Sequence, residues 1–323
     1  MNPVNNIQAL LSDELSTFEH KFKEAVRSNV PLLDRIMHYI IRRKGKQVRP
    51  MFVFLSAKVF GEANDVTYRS AALVELLHTA TLVHDDVVDE SNIRRGFFSI
   101  NALWKNKVAV LVGDYLLSKG LLLSLEQNDF ETLKILSRAV KQMSEGELLQ
   151  IEKSRTLNIN EAVYFEIITN KTASLLASSC AAGAWSTTQQ SEIADKMRQF
   201  GECAGIAFQI KDDLFDYGGD GIGKPTGNDI KEKKITLPLI YTLNQVPKAR
   251  KKELIYLLKN KNTKKDYIRE IQEAVKAAGG IQYATEKMYV YRDKALTILN
   301  NLPDNPYRQG LADLVHFTTE RKY

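Results

Sequence analysis

No proline interrupts the chain between Pro50 and Pro225. Proline removes a backbone donor and breaks helix interiors, so its absence over this stretch leaves room for long helices. Apolar residues there recur at every third or fourth position and strand-type alternation is weak, which reads as nearly all helix. The pattern predicts helices over 9–28, 32–43, 50–60, 67–92, 101–126, 130–153, 160–184, 190–218, 233–245, 250–260, 264–278, 282–301 and 306–319. The punctuation agrees: Gly61 follows one helix, Asn128-Asp129 separates two more, and Asn158 to Asn160 offers N-caps before Glu161. Apolar residues make up 44% of the chain, enough for a sizeable core. No linker or low-complexity run divides it, so one all-α domain over residues 1–323 is expected.

The net charge of +6 and pI near 9.0 suit either plain solubility or an anionic ligand such as phosphate, nucleic acid or lipid. Two cysteines, Cys180 and Cys203, make neither a disulfide framework nor a metal-type spacing, and a reducing cytoplasm is the default. Met1 to Asp13 lacks the basic end and apolar core of a signal peptide. No apolar run approaches the roughly 20 residues needed to span a bilayer, so no transmembrane segment is expected.

The chemistry concentrates in two acidic boxes. The first, Asp85-Asp86-Val87-Val88-Asp89, ends the largely apolar stretch Val74 to Val83 and precedes Arg94-Arg95-Gly96. The second, Asp212-Asp213-Leu214-Phe215-Asp216, ends an apolar stretch from Cys203 to Ile210. On a helix Asp85 and Asp89 share a face one turn apart, with Asp86 about 100° round. Carboxylates that close repel one another unless a cation sits between them. Oxygen ligands without cysteine favour Mg²⁺, which binds through one or two carboxylates and a substrate phosphate. One box alone could equally be a solvated acidic face; two at the ends of apolar helices are far more specific.

Other segments are weaker singly. Arg42 to Pro50 is strongly basic; it could be a surface patch for lipid or nucleic acid, but Gly45 and Pro50 bracket it into a turn suited to phosphate. Lys171-Thr172 follows the β-branched run Ile167-Ile168-Thr169, a weak place in a helix that Thr hydroxyls can bend. Gly218 to Lys224 nearly spells a P-loop, but Pro225 stands where Ser or Thr is needed and no strand precedes it, so a lid whose Lys224 reaches phosphate fits better. His84 caps or packs, His20, His38 and His316 lack metal-type partners, and Trp104 and Trp185 read as core.

Taken together, Gly45-Lys46-x-x-Arg49-Pro50, His78, the first box with Arg94-Arg95-Gly96, Lys171-Thr172, Gln209 with the second box, Lys224 and Lys234 closely resemble the trans-isoprenyl diphosphate synthases, in family order from about residue 40 to 240. The ending Arg321-Lys322 is similar too. The resemblance implies a single bundle of antiparallel helices around a central cavity, usually a homodimer, that joins isopentenyl diphosphate head to tail to an allylic diphosphate. It implies Mg²⁺ on Asp85, Asp89, Asp212 and Asp216, with Asp86 and Asp213 completing the boxes. It places Arg94, Lys171, Thr172, Gln209, Lys224 and Lys234 on the allylic diphosphate, and Lys46, Arg49, His78 and Arg95 on isopentenyl diphosphate. No nucleic-acid motif competes.

Product length follows from the helix before the first box. Asp85, Thr81 and Val74 fall on roughly one face, with Ala80 adjacent. Family members making short products tend to carry bulky aromatics at the positions of Ala80 and Thr81. Both are small here, so a product of about six to eight isoprene units is expected by family analogy, with quinone side chains as its natural use. The rivals are a short-chain farnesyl or geranylgeranyl diphosphate synthase, a terpene cyclase, and a non-catalytic partner subunit. Cyclases usually carry an Asn/Ser/Glu motif second, and partner subunits tend to lose the aspartates, whereas this chain keeps all six.

Overall fold

The structure, a computed structural model, describes residues 3–42, 45, 47–94, 96–218 and 227–320. Its order is α1 (Pro3–Leu10), α2 (Ser12–Ala25), α3 (Pro31–Arg42), α4 (Val48–Lys58), α5 (Asp65–Val88), β1 (Ile93–Arg94), β2 (Phe97–Phe98), α6 (Ile100–Leu125), α7 (Phe130–Thr156) and α8 (Glu161–Ile168). A π-helical turn (Thr169–Ala173) leads into α9 (Ser174–Thr188) and α10 (Ser191–Phe215). Then come α11 (Asn228–Lys231), α12 (Leu237–Gln245), α13 (Lys248–Asn260), α14 (Lys265–Ala277), α15 (Gly280–Asn300) and α16 (Pro306–Glu320). The all-α expectation holds. The chain divides into two compact units, one of residues 1–140, 178–198 and 302–311, the other of 141–177, 199–301 and 312–323.

In the first unit α4 is apolar all round and accordingly buried from Pro50 through Ala57. Pro50 sits in the first turn, where its missing N–H costs nothing. The helix α5 packs against α2, α4 and α6. It starts on a reciprocal cap: the Asn64 side chain accepts from the Thr67 backbone N–H, and the Thr67 hydroxyl accepts from the Asn64 backbone. Two α6 glycines admit α5 side chains. A Cβ on Gly113 would stand 2.1 Å from His84 Nε2, and one on Gly120 2.7 Å from Leu73 Cδ1. His84 therefore packs on α6. Arg69 grips Asp129 with two parallel bonds (2.5 and 3.0 Å), pinning the turn between α6 and α7 to α5.

Among the described helices α6 alone is long and apolar enough by length and composition to cross a membrane, a test that core helices also pass; a third of its most apolar window is buried. Lys105, Lys107, Asp114 and Lys119 interrupt it, so it holds no unbroken apolar run of spanning length. Leu103, Val110, Leu111, Leu121, Leu122 and Leu125 remain exposed along it.

The second unit is built on Tyr164, Ile168, Ile206, Ile210, Tyr217 and the apolar face of α12, which α15 covers. Gly280 makes that approach possible, because a Cβ there would lie 2.4 Å from Pro238 O. Asn160 caps α8 as expected, accepting from the Val163 N–H at 2.9 Å.

Candidate active site

The first box lies at the C-terminal end of α5, which stops at Val88 and not at the expected 92. Ser91 N–H bonds back to Asp86 O at 2.9 Å and Glu90 N–H to Val87 O, while Glu90 takes a left-handed φ of 50°. This is a Schellman ending made without glycine, so only the backbone reveals it. A hairpin the sequence did not suggest follows, pairing Ile93 with Phe98 and Arg94 with Phe97 around Gly96 at φ 79°. Tyr39 OH donates to Phe98 O at 2.5 Å, and Tyr39 lies edge-on to Trp104. Arg94 Nε donates to Asp86 Oδ1 at 2.5 Å, and Asn101 Nδ2 donates to Asp86 O at 3.1 Å. Asp86 is 3% exposed. Burial raises its carboxyl above the usual carboxylate range, and the Arg94 guanidinium draws it back. Asp85 is half-buried and Asp89 exposed.

Two turns earlier, His78 Nε2 meets Arg49 Nη1 at 2.9 Å. His78, Gln47, Arg94 and Asp86 border a cleft of about 910 Å³, open mouth included, otherwise walled largely by Phe22, Tyr39, Leu82, Phe97 and Phe98. Val74 and Ala80 are wholly buried, whereas Thr81 keeps some exposure and bonds back to His78 O. The expected binding residues Lys46, Arg95 and Lys224 lie outside the described residues, as do most of the glycine-rich loop and Arg321-Lys322.

The second unit holds the other group. Lys171 and Thr172 sit on the π turn, at the predicted weak place: Ser174 N–H reaches back five residues to Thr169 O, and Ser174 Oγ bonds Asn170 O at 2.5 Å. Lys171 pairs with Glu147 and donates to Gln150 at 3.4 Å. Thr172 Oγ donates to Gln209 Oε1 at 2.8 Å, and Gln209 Nε2 donates to Asp213 Oδ1 at 2.7 Å. The hydroxyl of Tyr164, buried on α8, donates to Asp213 Oδ2 at 2.7 Å. Asp213 is 5% exposed, and burial raises its carboxyl despite those two donors. Asp216 lies just past the end of α10 and caps α11, accepting from the backbone N–H groups of Asn228 at 2.7 Å and Asp229 at 3.1 Å. Burial raises Asp216 and Asp229 as well. Asp212 is exposed, and Lys234 pairs with Glu232.

The two boxes share one division of labour. In each, the second aspartate, Asp86 or Asp213, is buried and bonded by protein donors. The first, Asp85 or Asp212, retains solvent exposure.

The model of the family described as Polyprenyl synthetase matches residues 30–275. The chain belongs to the polyprenyl synthetase family. Among relatives of this synthetase, octaprenyl diphosphate synthase of Escherichia coli is 33% identical over 98% of this chain and 99% of its own. Heptaprenyl diphosphate synthase component 2 of Bacillus subtilis is 33% identical over 98% and 90%. The crystal structure of a polyprenyl synthase from Caulobacter crescentus, complexed with calcium and isoprenyl diphosphate, has 34% identity and a TM-score of 0.90 over 99% of this chain and 98% of that one. A decaprenyl diphosphate synthase from Rhodobacter capsulatus gives 32% and 0.94 over 98% and 99%. This polyprenyl synthetase is thus a trans-prenyltransferase, a prenyl diphosphate synthase of isoprenoid biosynthesis.

Among the described residues no three His, Cys, Asp or Glu side chains already form a metal cluster. Mg²⁺ would take one or two carboxylates and complete its octahedron from substrate oxygens and water. Asp85, Asp89 and Asp212 fit such a role; Asp216 would have to use lone pairs left over from its backbone bonds. Three site residues escaped the sequence reading. They are Tyr164, Glu147 and Asp229, none of which was singled out as a site residue. The nearest signal was the acid at Asp229, four residues past Pro225.

Proposed function

We propose that this synthetase condenses isopentenyl diphosphate with an allylic diphosphate, farnesyl or geranylgeranyl, to an all-trans chain of about six to eight isoprene units for quinone side chains. One observation carries the site assignment: each box buries its second aspartate among protein donors while its first keeps some solvent exposure. In this reading the inner carboxylates anchor the helix ends and the outer ones ligate the cation that accompanies the allylic diphosphate. The calcium in the Caulobacter relative's complex supports a divalent cation. Mg²⁺, when bound, supplies positive charge to the leaving pyrophosphate.

The chain's own groups do the rest. Arg94 and Lys171 bind the allylic diphosphate, and Lys171 exchanges Glu147 for it. Lys224 and Lys234 add charge there, while Arg49 and His78, with Lys46 and Arg95, hold isopentenyl diphosphate. The allylic C1–O bond breaks with its electron pair going to pyrophosphate. Thr172 and Gln209 turn oxygen dipoles to the allylic cation, stabilising it electrostatically. The isopentenyl double bond attacks C1, and the released pyrophosphate takes the proton lost from C2. The exposed apolar face of α6 supports a homodimer, and the two free thiols support a cytoplasmic enzyme.

Purified protein given labelled isopentenyl diphosphate, farnesyl diphosphate and Mg²⁺ should yield chain-elongated lipid, abolished by EDTA. A fifteen-carbon limit product from dimethylallyl diphosphate would favour the short-chain rival. No elongation, or elongation indifferent to EDTA, would refute the assignment.

A further inference from the structure

Tyr164 takes no part in the reaction just described, yet it ends a line of side chains that leads to the reacting group. Its hydroxyl donates to Asp213 Oδ2 (2.7 Å), Gln209 Nε2 to Asp213 Oδ1 (2.7 Å), and Thr172 Oγ to Gln209 Oε1 (2.8 Å). The polarity of this line is determined. A carboxylate accepts and does not donate, so the Gln209 amide must turn its N–H toward Asp213 and its carbonyl toward Thr172. Thr172 then spends its only proton on that carbonyl and has oxygen lone pairs left to present. If the amide were reversed, its N–H would face Thr172 and an unfavourable positive dipole would meet a cation.

Everything depends on the Asp213 carboxylate holding one rotamer. Tyr164 occupies the oxygen that Gln209 does not, and its own ring is fixed by burial and by an edge-on contact with Phe165 at 5.4 Å. We propose that Tyr164 is a positioning residue for prenyl transfer: by clamping Asp213 it holds Gln209 and Thr172 with their oxygens presented to the allylic group. The proposal rests on the roles given to Thr172 and Gln209 above.

The test is a cycle of Tyr164→Phe and Gln209→Leu, singly and together, with Asp213→Asn as a second route to the same loss. Tyr164→Phe keeps the ring and its packing and removes one donor. It should lower kcat about tenfold, as expected for a lost hydrogen bond to a carboxylate, and leave KM for isopentenyl diphosphate unchanged. In the Gln209→Leu background the same change should have no further effect on kcat, because its route to the substrate is gone. Asp213→Asn, which lets the amide face either way, should slow the enzyme at least as much as Tyr164→Phe. An equal kcat loss from Tyr164→Phe in both backgrounds would overturn the proposal alone, leaving Gln209 in its role. A harmless Gln209→Leu would remove Gln209 from the chemistry and the proposal with it.

Discussion

The π turn carrying Lys171 and Thr172 is shaped from outside, by glycines on other helices. A Cβ on Gly205 would stand 2.6 Å from Ala173 Cα and 2.8 Å from its Cβ, where ordinary contact begins at 3.4 Å. Gly205→Ala therefore requires the turn to move by about 0.8 Å, since the first obstacle is backbone. Alanine improves helix propensity by about 1 kcal/mol, and overpacking costs about 1–3 kcal/mol, so the net loss is about 0–2 kcal/mol. For a chain of 323 residues the expected fall in Tm is at most about 3 °C. The larger effect should be on rate. A misplacement near 1 Å can cost about a hundredfold, so kcat should fall by about thirtyfold or more. Steady-state kinetics with farnesyl diphosphate and a thermal scan measure the two. Gly61→Ala is the control, because a Cβ there meets only Thr187 Cβ at 3.7 Å. A Gly205→Ala enzyme with wild-type kcat would show that the turn's position is immaterial to Lys171 and Thr172, and would refute the reasoning.

Two further outcomes are expected. Thr81→Phe should shorten the product, as judged by chromatographic sizing of the lipids; Ala80→Phe is the poorer probe, because Ala80 is already wholly buried and a phenyl ring there would overpack the core. Leu111→Glu, at a position 60% exposed on α6, should halve the mass seen by sedimentation, and an unchanged mass would remove α6 from the dimer interface.

Most helices were legible because their signal is local: apolar spacing says which face turns inward whatever the fold does elsewhere. The misses came where the backbone obeyed something else. The α5 terminus was decided by Glu90 adopting a left-handed conformation that residue type does not advertise. The hairpin's strands have two residues each, too few to show a period. The π turn falls at the weak place that Ile167-Ile168-Thr169 announces, but its one inserted residue is too small a change to register in the periodicity, and the sequence does not show that Gly146 and Gly205 on other helices approach it closely.

The site was half legible for a similar reason. Charges at the ends of apolar helices announce themselves, so both boxes were found. Which aspartate faces inward could not be read from D-D-x-x-D, because that depends on donors supplied from elsewhere: Arg94 for Asp86, and Tyr164, 49 residues away in sequence, for Asp213. Those donors have a consequence for the chemistry. A buried carboxylate is tolerated only when its hydrogen bonds are made. Both inner aspartates are bonded by protein donors, and in the proposed site those bonds would hold each helix end, and with it the outer carboxylate, in place. Repulsion between neighbouring acids is then met by fixed protein groups and need not be relieved by rearrangement on binding. Such a site is organised in advance for the charge that develops in the reaction, the condition under which electrostatic stabilisation is most effective.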